Sequence, residues 1–352
     1  MRIKSLTFSL LLLLSLQASA QYKYVLPKAR PLFNPQDTVS VFIIGDVMMH
    51  KRQLEYDCRW FLRYIEPAMQ EADFGVANME FALGGPPYTG YPAFSTPDSY
   101  AEYVARCGTD VFLTANNHIL DRGTSGLRRT IRVYDRMADS LGIRYTGVGT
   151  APLLLHRRGL NIALVNFTYG TNVGPEVSYP DVMRMREEEV LASIDSAKRA
   201  GADFIVALPH WGEEYKLTHN QTQQKWAHML AGAGCCAIVG AHPHVVQDTT
   251  HIGTVPVIYS MGNAVSNMSA PNTRLELAVT LRFVHDHFTG QKRMLEPRID
   301  WMWCTLPGRL TPSYATIFIK EWATRRSEWL IPGDYDNMMA TLERVRAATG
   351  IR

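Results

Sequence analysis

The sequence predicts an α/β fold, because short apolar, β-rich runs alternate with amphipathic helical patterns along most of the chain. Hydrophobic side chains make up 46% of the 352 residues, which is enough for a substantial core. No single residue class dominates, so a collagen-like, coiled-coil or wholly disordered chain is excluded. Strands that alternate with helices favour a largely parallel sheet arrangement.

The N-terminal segment does not belong to this pattern. Arg2 and Lys4 precede an apolar run at residues 6–16, and an Ala-x-Ala sequence ends at Ala20. These are the features of a secretory signal, and the apolar run is too short to span a bilayer. We therefore expect a signal peptide at residues 1–20, export to the periplasm or the cell exterior, and no stable membrane span after cleavage.

The remaining elements follow in order. Residues 21–38 contain three prolines and are expected to form an extended arm. Apolar and β-branched runs predict strands at residues 39–45, 74–77, 111–114, 160–167, 204–208, 237–239 and 255–260. Helical periodicity predicts helices at residues 56–72, 99–107, 126–141, 187–200 and 222–233. Alternating stretches at 275–284 and 294–303 are expected to pair as antiparallel strands. We expect one main domain at residues 39–312, followed by a helical segment at 313–352.

The charge of the chain excludes some partners. The 36 lysines and arginines nearly balance the 33 aspartates and glutamates, and no long basic run is present. A chain without a basic patch lacks the electrostatic footprint that nucleic acids or an anionic membrane surface require. We therefore expect no nucleic-acid partner.

Polar side chains collect directly after the predicted strands. They are Asp46, Asn78, Glu80, Asn116, Asn117, His118, His210, His242 and His244. Ligands of α/β sheets bind outside the carboxyl ends of the strands, so these side chains should converge. Imidazole, carboxylate and amide groups together suit Zn, Mn or Fe. The sequence thus predicts a metal site, and a metal pair there would activate water and clamp phosphoryl oxygens.

Six segments of the sequence, taken together, resemble the CapA family and occur in the same order. They read GDVM from Gly45, NME from Asn78, ANNH from Ala115, HWGEEY from His210, GAHPHVVQ from Gly240 and YSMGN from Tyr259. That family comprises poly-γ-glutamate capsule biosynthesis proteins and is related to calcineurin-like metallophosphoesterases. The resemblance covers residues 39–263 and implies a four-layer α/β/β/α sandwich of the metallophosphoesterase type.

The resemblance also implies a centre of two divalent metal ions. Asp46 and His244 would hold one ion. The second ion would be held by Asn117, His210 and His242. Glu80 would stand where the family has a bridging acid.

Four further residues have roles by the same resemblance. His118 would be the general acid that protonates the leaving oxygen, because its neighbour would ligate a metal while the imidazole faces the substrate. Asn78, Asn116 and Glu214 would line the substrate.

Two positions depart from the metallophosphoesterase pattern. Met48 stands where a histidine ligand is usual, and a thioether is a poor ligand for a hard metal. His50 is near enough in sequence to substitute, but as a lone histidine it is better explained as a surface or packing residue. Glu80 replaces the usual aspartate and lengthens the bridge. We therefore expect one metal to be weakly held or absent.

The expected function is that of an exported, metal-dependent, phosphoesterase-like hydrolase of capsule, poly-γ-glutamate or envelope polymer metabolism. Its substrate would be a phosphoester or an anionic polymer, and envelope-biosynthesis proteins would be its partners. A non-catalytic accessory protein that binds an anionic polymer such as poly-γ-glutamate is the first alternative. A metal-dependent amide hydrolase is the second, because activated water also attacks amides.

Overall fold

The computed structural model describes residues 36–173 and 181–352. The predicted signal peptide and nearly all of the predicted arm lie outside these residues. The first strand begins at Gln36, so residues 36–38 are strand and not the end of an arm.

The described residues form fourteen strands and seven helices. The strands are β1 (Gln36–Val47), β2 (Phe74–Met79), β3 (Val111–Leu113), β4 (Arg144–Thr146), β5 (Leu153–Arg157), β6 (Leu160–Thr168), β7 (Phe204–His210), β8 (Ala237–Val239), β9 (Thr249–Ile252), β10 (Val255–Ile258), β11 (Leu275–Asp286), β12 (Lys292–Met294), β13 (Arg298–Thr305) and β14 (Ala315–Phe318). The helices are α1 (Glu66–Glu71), α2 (Asp98–Arg106), α3 (Gly123–Leu141), α4 (Glu187–Arg199), α5 (Gln221–Gly232), α6 (Ile319–Trp322) and α7 (Pro332–Thr349).

These strands form two sheets. The first has the order β14-β13-β11-β1-β2-β3-β4, with β12 paired to β11, and the second has the order β5-β6-β7-β8-β10-β9. Pairing is parallel along β1-β2-β3-β4 and along β6-β7-β8-β10. The other pairs are antiparallel, including the predicted pair β11 and β13. The expectation of largely parallel strands therefore holds for one side of the first sheet, from β1 to the edge strand β4, and for the middle of the second sheet.

The two sheets pack face to face, and helices cover their outer faces. Along β1 the side chains alternate, as a pleated strand requires. Val41 and Ile43 belong to the core that both sheets share, whereas Phe42 and Ile44 pack in a cluster with residues of α1, α2 and α3. Helices α4 and α5 cover the second sheet through a third cluster that includes Ile194. This arrangement confirms the predicted four-layer α/β/β/α sandwich.

The predicted helix at residues 56–72 is mostly wrong. Two 3₁₀ turns, Lys51–Glu55 and Cys58–Trp60, precede the short helix α1. Asp57 caps the second turn by accepting a hydrogen bond from the backbone of Arg59. Pro67 lies in the first turn of α1, where its missing N–H costs nothing, so the regular helix begins there.

The segment at residues 313–352 is not a purely helical appendage. Its first element, β14, extends the first sheet by pairing with β13. Trp322, Trp329 and Met338 lie in the same core cluster as the residues between the sheets. The boundary expected at residue 312 therefore falls inside one packed unit. No helix among the described residues combines the length and the apolar character needed to cross a membrane.

Candidate metal centre

The candidate centre lies where the central strands of both sheets end. Asp46 lies near the end of β1, and Glu80 directly follows β2. His210 ends β7, and His242 and His244 lie in the loop after β8. All five side chains are buried. The single helix between β7 and β8 brings both histidine segments to one edge of the second sheet, as the sequence predicts.

Two groups of candidate ligands share one residue. Glu80, His210 and His242 form one group, and Asp46, Glu80 and His244 form the other. Within each group one potential ligand atom per residue lies within 4.8 Å of the others. Glu80 Oε1 is 3.6 Å from His210 Nε2, and Glu80 Oε2 is 3.9 Å from His244 Nδ1. Glu80 thus lies between two sets of donors.

Glu80 is the clearest sign that this space suits a cation. Its side chain is 0% exposed, and neither carboxyl oxygen has a hydrogen-bond partner among the described residues. Burial raises the pKa of Glu80 well above its ordinary value, and the charge of Asp46 raises it further. An unpartnered buried carboxyl group is costly unless a positive charge offsets it. His242 Nδ1 also lacks a partner among these residues.

Asp46 is an anion in these surroundings. Burial alone would raise its pKa, but hydrogen bonding with His244 and Asn78 outweighs burial and lowers the pKa to about 2. Asn78 Nδ2 donates to Asp46 Oδ1 at 2.6 Å, and the backbone N–H of His242 donates to Oδ2 at 3.3 Å. The carboxylate is therefore fixed and charged at neutral pH, as a metal ligand must be.

The three histidines differ in charge. Burial lowers the pKa of His210 well below its usual range, and it lowers the pKa of His242 to about 3. Both imidazoles are therefore neutral at pH 7 and are available as ligands. Burial also opposes charge on His244, but the carboxylate of Asp46 outweighs it and raises its pKa. A cation in this group would compete with that proton.

The loop that carries His242 and His244 has an unusual backbone. His242 has φ +103° and His244 has φ +57°, although neither is glycine. Left-handed conformations at such residues cost about 1–3 kcal/mol each and persist where the surroundings impose them, often at functional sites. The intervening Pro243 stiffens the loop, and Asn263 Oδ1 lies 2.9 Å from His244 Nδ1.

The loop after β3 brings Asn117 and His118 to the same place. Asn117 Oδ1 accepts a hydrogen bond from His210 Nε2 at 2.8 Å, so it lies beside the group of Glu80, His210 and His242. His118 Nδ1 is 2.7 Å from Asp121 Oδ2, and this carboxylate also accepts from the backbone N–H of Phe94 at 2.8 Å. The ring of His118 packs edge-on against Phe94 at 4.6 Å.

Asn78 and Asn116 are both buried, and each is held by hydrogen bonds to neighbouring residues. Asn78 holds Asp46, and Asn116 donates to the carbonyl of Met79 at 2.9 Å and accepts from the backbone of His118 at 3.1 Å. The assignment of both residues as substrate-lining stays a prediction. Glu214 is exposed, next to Tyr215, whose ring lies 6.2 Å from that of His244.

Met48, which departs from the metallophosphoesterase pattern, and the nearby His50 both have structural roles away from the ligand groups. Met48 is buried in the cluster between the first sheet and its helices, so its side chain serves packing. His50 Nδ1 accepts from the backbone N–H of Asn267 at 3.3 Å, and the His50 ring packs on Phe94 at 5.3 Å. Neither residue belongs to the two ligand groups.

Sequence reasoning did not find three neighbours of the centre. The ring of Tyr169 lies 4.5 Å from that of His242, and Asn172 Nδ2 lies 3.1 Å from His118 Nδ1. Both follow β6, so the rule that ligands bind at strand ends could have found them. Asp121, three residues after His118, could have been found by its spacing.

The fold and this cluster define a four-layer α/β protein with a candidate dinuclear metal centre. A family model described as "Bacterial capsule synthesis protein PGA_cap" matches residues 40–268. The chain therefore belongs to this family of bacterial capsule synthesis proteins.

Named relatives agree with this assignment. The chain is 26% identical to "Capsule biosynthesis protein CapA" of Bacillus anthracis, over 68% of this chain and 62% of that protein. It is also 26% identical to "PGA biosynthesis protein CapA" of Bacillus subtilis, over 68% of this chain and 66% of that protein. A "Probable polyglutamine synthesis accessory protein" of Mycobacterium tuberculosis is 26% identical over 53% of this chain and 55% of that protein. The chain thus spans less than two thirds of the length of these relatives.

Solved structures with a similar arrangement are distant. A phosphatase of Mycoplasma pneumoniae has 13% identity and a TM-score of 0.44, over 76% of this chain and 94% of that chain. The NAD nucleotidase of Haemophilus influenzae has 12% identity and a TM-score of 0.44, over 88% and 63%. Scores of this size carry no argument about the activity of this chain.

Proposed function

We propose that this protein is a metal-dependent, phosphoesterase-like hydrolase of capsule or envelope polymer metabolism. The observation that carries the proposal is the buried Glu80, which lies between two donor groups without a hydrogen-bond partner among the described residues. The donors are carboxylates, imidazoles and an amide oxygen, a set that suits Zn, Mn or Fe. The names of the relatives from Bacillus anthracis and Bacillus subtilis support a role in capsule polymer synthesis.

Each residue of the centre has a role in this proposal. Asp46 and His244 would hold one divalent ion, and the second would be held by Asn117, His210 and His242, with Glu80 shared. When bound, two such metal ions supply an activated water and offset negative charge on a phosphoryl group.

His118 would supply the proton for the leaving oxygen. Its Nδ1 is engaged by the carboxylate of Asp121, which fixes the ring and leaves Nε2 to hold and transfer that proton.

A second candidate is an accessory protein that binds an anionic polymer without turning it over. The burial of Met48 favours it, because the group of Asp46, Glu80 and His244 then lacks the further protein ligand that a histidine at this position would supply. One relative is itself named a probable accessory protein. Hydrolysis of an amide would use the same activated water. Its products, an amine and a carboxylate, distinguish it from phosphoester hydrolysis and from binding without turnover.

Metal analysis combined with a phosphatase assay tests these alternatives. His210→Ala or His242→Ala should lower bound metal sharply, because each removes a donor from one group, and turnover of nitrophenyl phosphate should fall with it. His228→Ala, on the exposed face of α5, is the matched control and should change neither. Unchanged metal in both centre variants would overturn the site. Metal binding and polymer binding without turnover of phosphoesters or amides would favour the accessory protein.

We also propose that the protein is exported and cleaved after Ala20. The basis is the basic start, the short apolar run and the Ala-x-Ala end. N-terminal sequencing of the exported protein should begin near Gln21, and retention of a full-length chain in the cell would contradict export.

A further inference from the structure

A groove adjoins the candidate centre on the side of the first sheet. It consists of two clefts of about 360 and 330 Å³ that share Arg52 and Asn267 as lining residues. Lys51 lines the first cleft, and Arg309 lines the second. We call this feature the Arg52 groove, defined by Lys51, Arg52, Asn267 and Arg309. Because the two clefts share these lining residues, they adjoin each other.

One end of the Arg52 groove lies beside the proposed general acid. His50 and Tyr91 line the first cleft. The ring of His50 contacts Phe94 at 5.3 Å, and Phe94 contacts His118 at 4.6 Å. The ring of Tyr91 itself lies 6.4 Å from that of His118. A chain lying in the groove would therefore reach the centre.

The charge of the groove is positive. Lys51, Arg52 and Arg309 line it, against the single acid Glu55. No salt bridge within 4.0 Å joins any of these three cations to an acid in the described part of the chain, although Arg52 interacts with the hydroxyl of Tyr56. The nearby Arg59, by contrast, is paired with Asp57 at 2.8 Å. Unpaired cations on the walls of a cleft attract anionic groups and can bind carboxylates through charge-assisted hydrogen bonds.

The groove also offers a donor for an uncharged carbonyl. Asn267 Oδ1 accepts a hydrogen bond from the hydroxyl of Tyr314. The amide nitrogen of the same side chain makes no hydrogen bond to another described residue. The groove therefore combines cations with an amide donor between them. Carboxylates and amide carbonyls that alternate along one chain match this combination.

We propose that the Arg52 groove binds an extended polyamide that carries side-chain carboxylates, and guides it toward His118. This proposal rests on the proposed function, because it assigns the polymer subsite of the same centre. Poly-γ-glutamate has the required chemistry and is the probe for the test.

The test compares two double variants of the purified protein by titration with poly-γ-glutamate of defined length. Arg52→Ala/Arg309→Ala should weaken binding about tenfold or more, because each change removes a charge-assisted contact. Arg199→Ala/Lys225→Ala removes the same charge from exposed positions on α4 and α5 and should leave the affinity unchanged. Metal content and melting temperature, measured on both, should match the wild type and exclude misfolding.

A second comparison tests the amide donor. Polyacrylate carries carboxylates but no amides, so the wild type should bind it several-fold more weakly than poly-γ-glutamate of equal charge. Asn267→Asp keeps the acceptor for Tyr314 and removes the donor, so it should reduce this preference. An unchanged preference, or none in the wild type, would overturn the polyamide assignment.

The outcomes separate this subsite from the hydrolase. If only the Arg52/Arg309 variant loses polymer binding, the result supports the groove as a polymer subsite. This holds even if the wild type turns over no phosphoester. The absence of turnover would contradict the proposed hydrolase activity and not the subsite. Equal binding by the wild type and the groove variant, equal loss in both double variants, or no binding by the wild type would overturn the groove.

Discussion

His118 is held on one side by a carboxylate and on the other by an aromatic ring. Asp121 contacts its Nδ1, and Phe94 packs against its ring. The carboxylate is itself fixed by the backbone N–H of Phe94, so these residues form a closed arrangement. Such support keeps an imidazole in one tautomer, which general acid catalysis requires.

We predict that His118→Ala lowers turnover of an alkyl phosphate by about a hundredfold, the usual cost of losing a general acid. Nitrophenyl phosphate should lose much less, because nitrophenolate departs without protonation. Metal content should stay near the wild-type level, since the proposed ligand is the neighbouring Asn117. Steady-state kinetics on both substrates, with metal analysis of the same samples, measure this. Equal losses on the two substrates would remove His118 from the proton-transfer step.

Glu276 supports the end of β1 from beneath the centre. The backbone N–H of Gly45 donates to its Oε1 at 3.0 Å, and its Oε2 has no partner among the described residues. Gly45 itself must be glycine, because a Cβ there would lie 2.0 Å from the carbonyl oxygen of Gly262. Burial raises the pKa of Glu276 well above 4.5, so the folded protein keeps it protonated at a pH where the unfolded chain releases the proton.

Glu276 should therefore destabilise the fold as the pH rises above 4.5, since only the unfolded chain gains by ionising it. Glu276→Gln retains the acceptor for Gly45 and cannot ionise. Its free energy of unfolding, relative to the wild type, should increase by about 1.4 kcal/mol per pH unit through the range between the unfolded and the folded pKa. Urea unfolding at pH 5, 6 and 7 measures this. The exposed Glu213→Gln is the control, and parallel profiles for Glu276→Gln and wild type would contradict the argument.

The features that the sequence predicts well are those that depend on a local pattern of residues, such as a buried strand followed by a polar loop. The strand-end rule finds Asp46, His210 and His242, because a parallel strand must deliver its following loop to the same sheet edge. The sequence pattern does not identify β14, since a run of four residues with three apolar side chains fits a buried helix as well as a strand. Nor can it show that Met48 packs in the core, because that depends on helices far away in sequence.

A buried ion pair attaches the last helix to the first sheet. Arg274 lies just before β11 and Asp334 in the first turn of α7, and they form two hydrogen bonds of 2.7 Å. Arg274 also donates to the carbonyl of Cys304 at 2.9 Å and stacks on Trp303 at 4.3 Å. With both side chains nearly inaccessible to water, removal of one partner leaves a buried charge unpaired.

We predict that Asp334→Ala lowers the free energy of unfolding by about 3–5 kcal/mol. Asp336→Ala is a matched control on the same helix, because Asp336 makes an equally short but exposed pair with Arg326. Its loss should cost no more than about 1 kcal/mol. Chemical denaturation of the two variants decides the comparison, and similar costs would mean that burial does not govern the strength of the Arg274 pair.

At the scale of the whole molecule, the candidate centre connects the two sheets. Asp46 and Glu80 come from the first sheet, whereas the three histidines come from the second. The two sheets already share a hydrophobic core. Two metal ions bound by these residues would link the sheets a second time, through their ligands. A metal ion that binds only the folded state raises the free energy of unfolding, and the gain grows with the logarithm of the ratio of metal concentration to Kd. At a metal concentration one hundred times Kd the gain is about 2.7 kcal/mol.

We therefore predict that saturation with Mn²⁺ or Zn²⁺ raises the melting temperature of the metal-free protein by several degrees, as this stabilisation implies for a chain of this size. Glu80→Gln should abolish the rise, because it removes the ligand that both groups share. Without metal the same variant should melt no lower than the wild type, since a neutral amide replaces a buried carboxyl group that burial already disfavours as an anion. His118→Ala should keep the full rise. Differential scanning calorimetry with and without chelator measures all three proteins, and a rise that persists in Glu80→Gln would locate metal binding elsewhere.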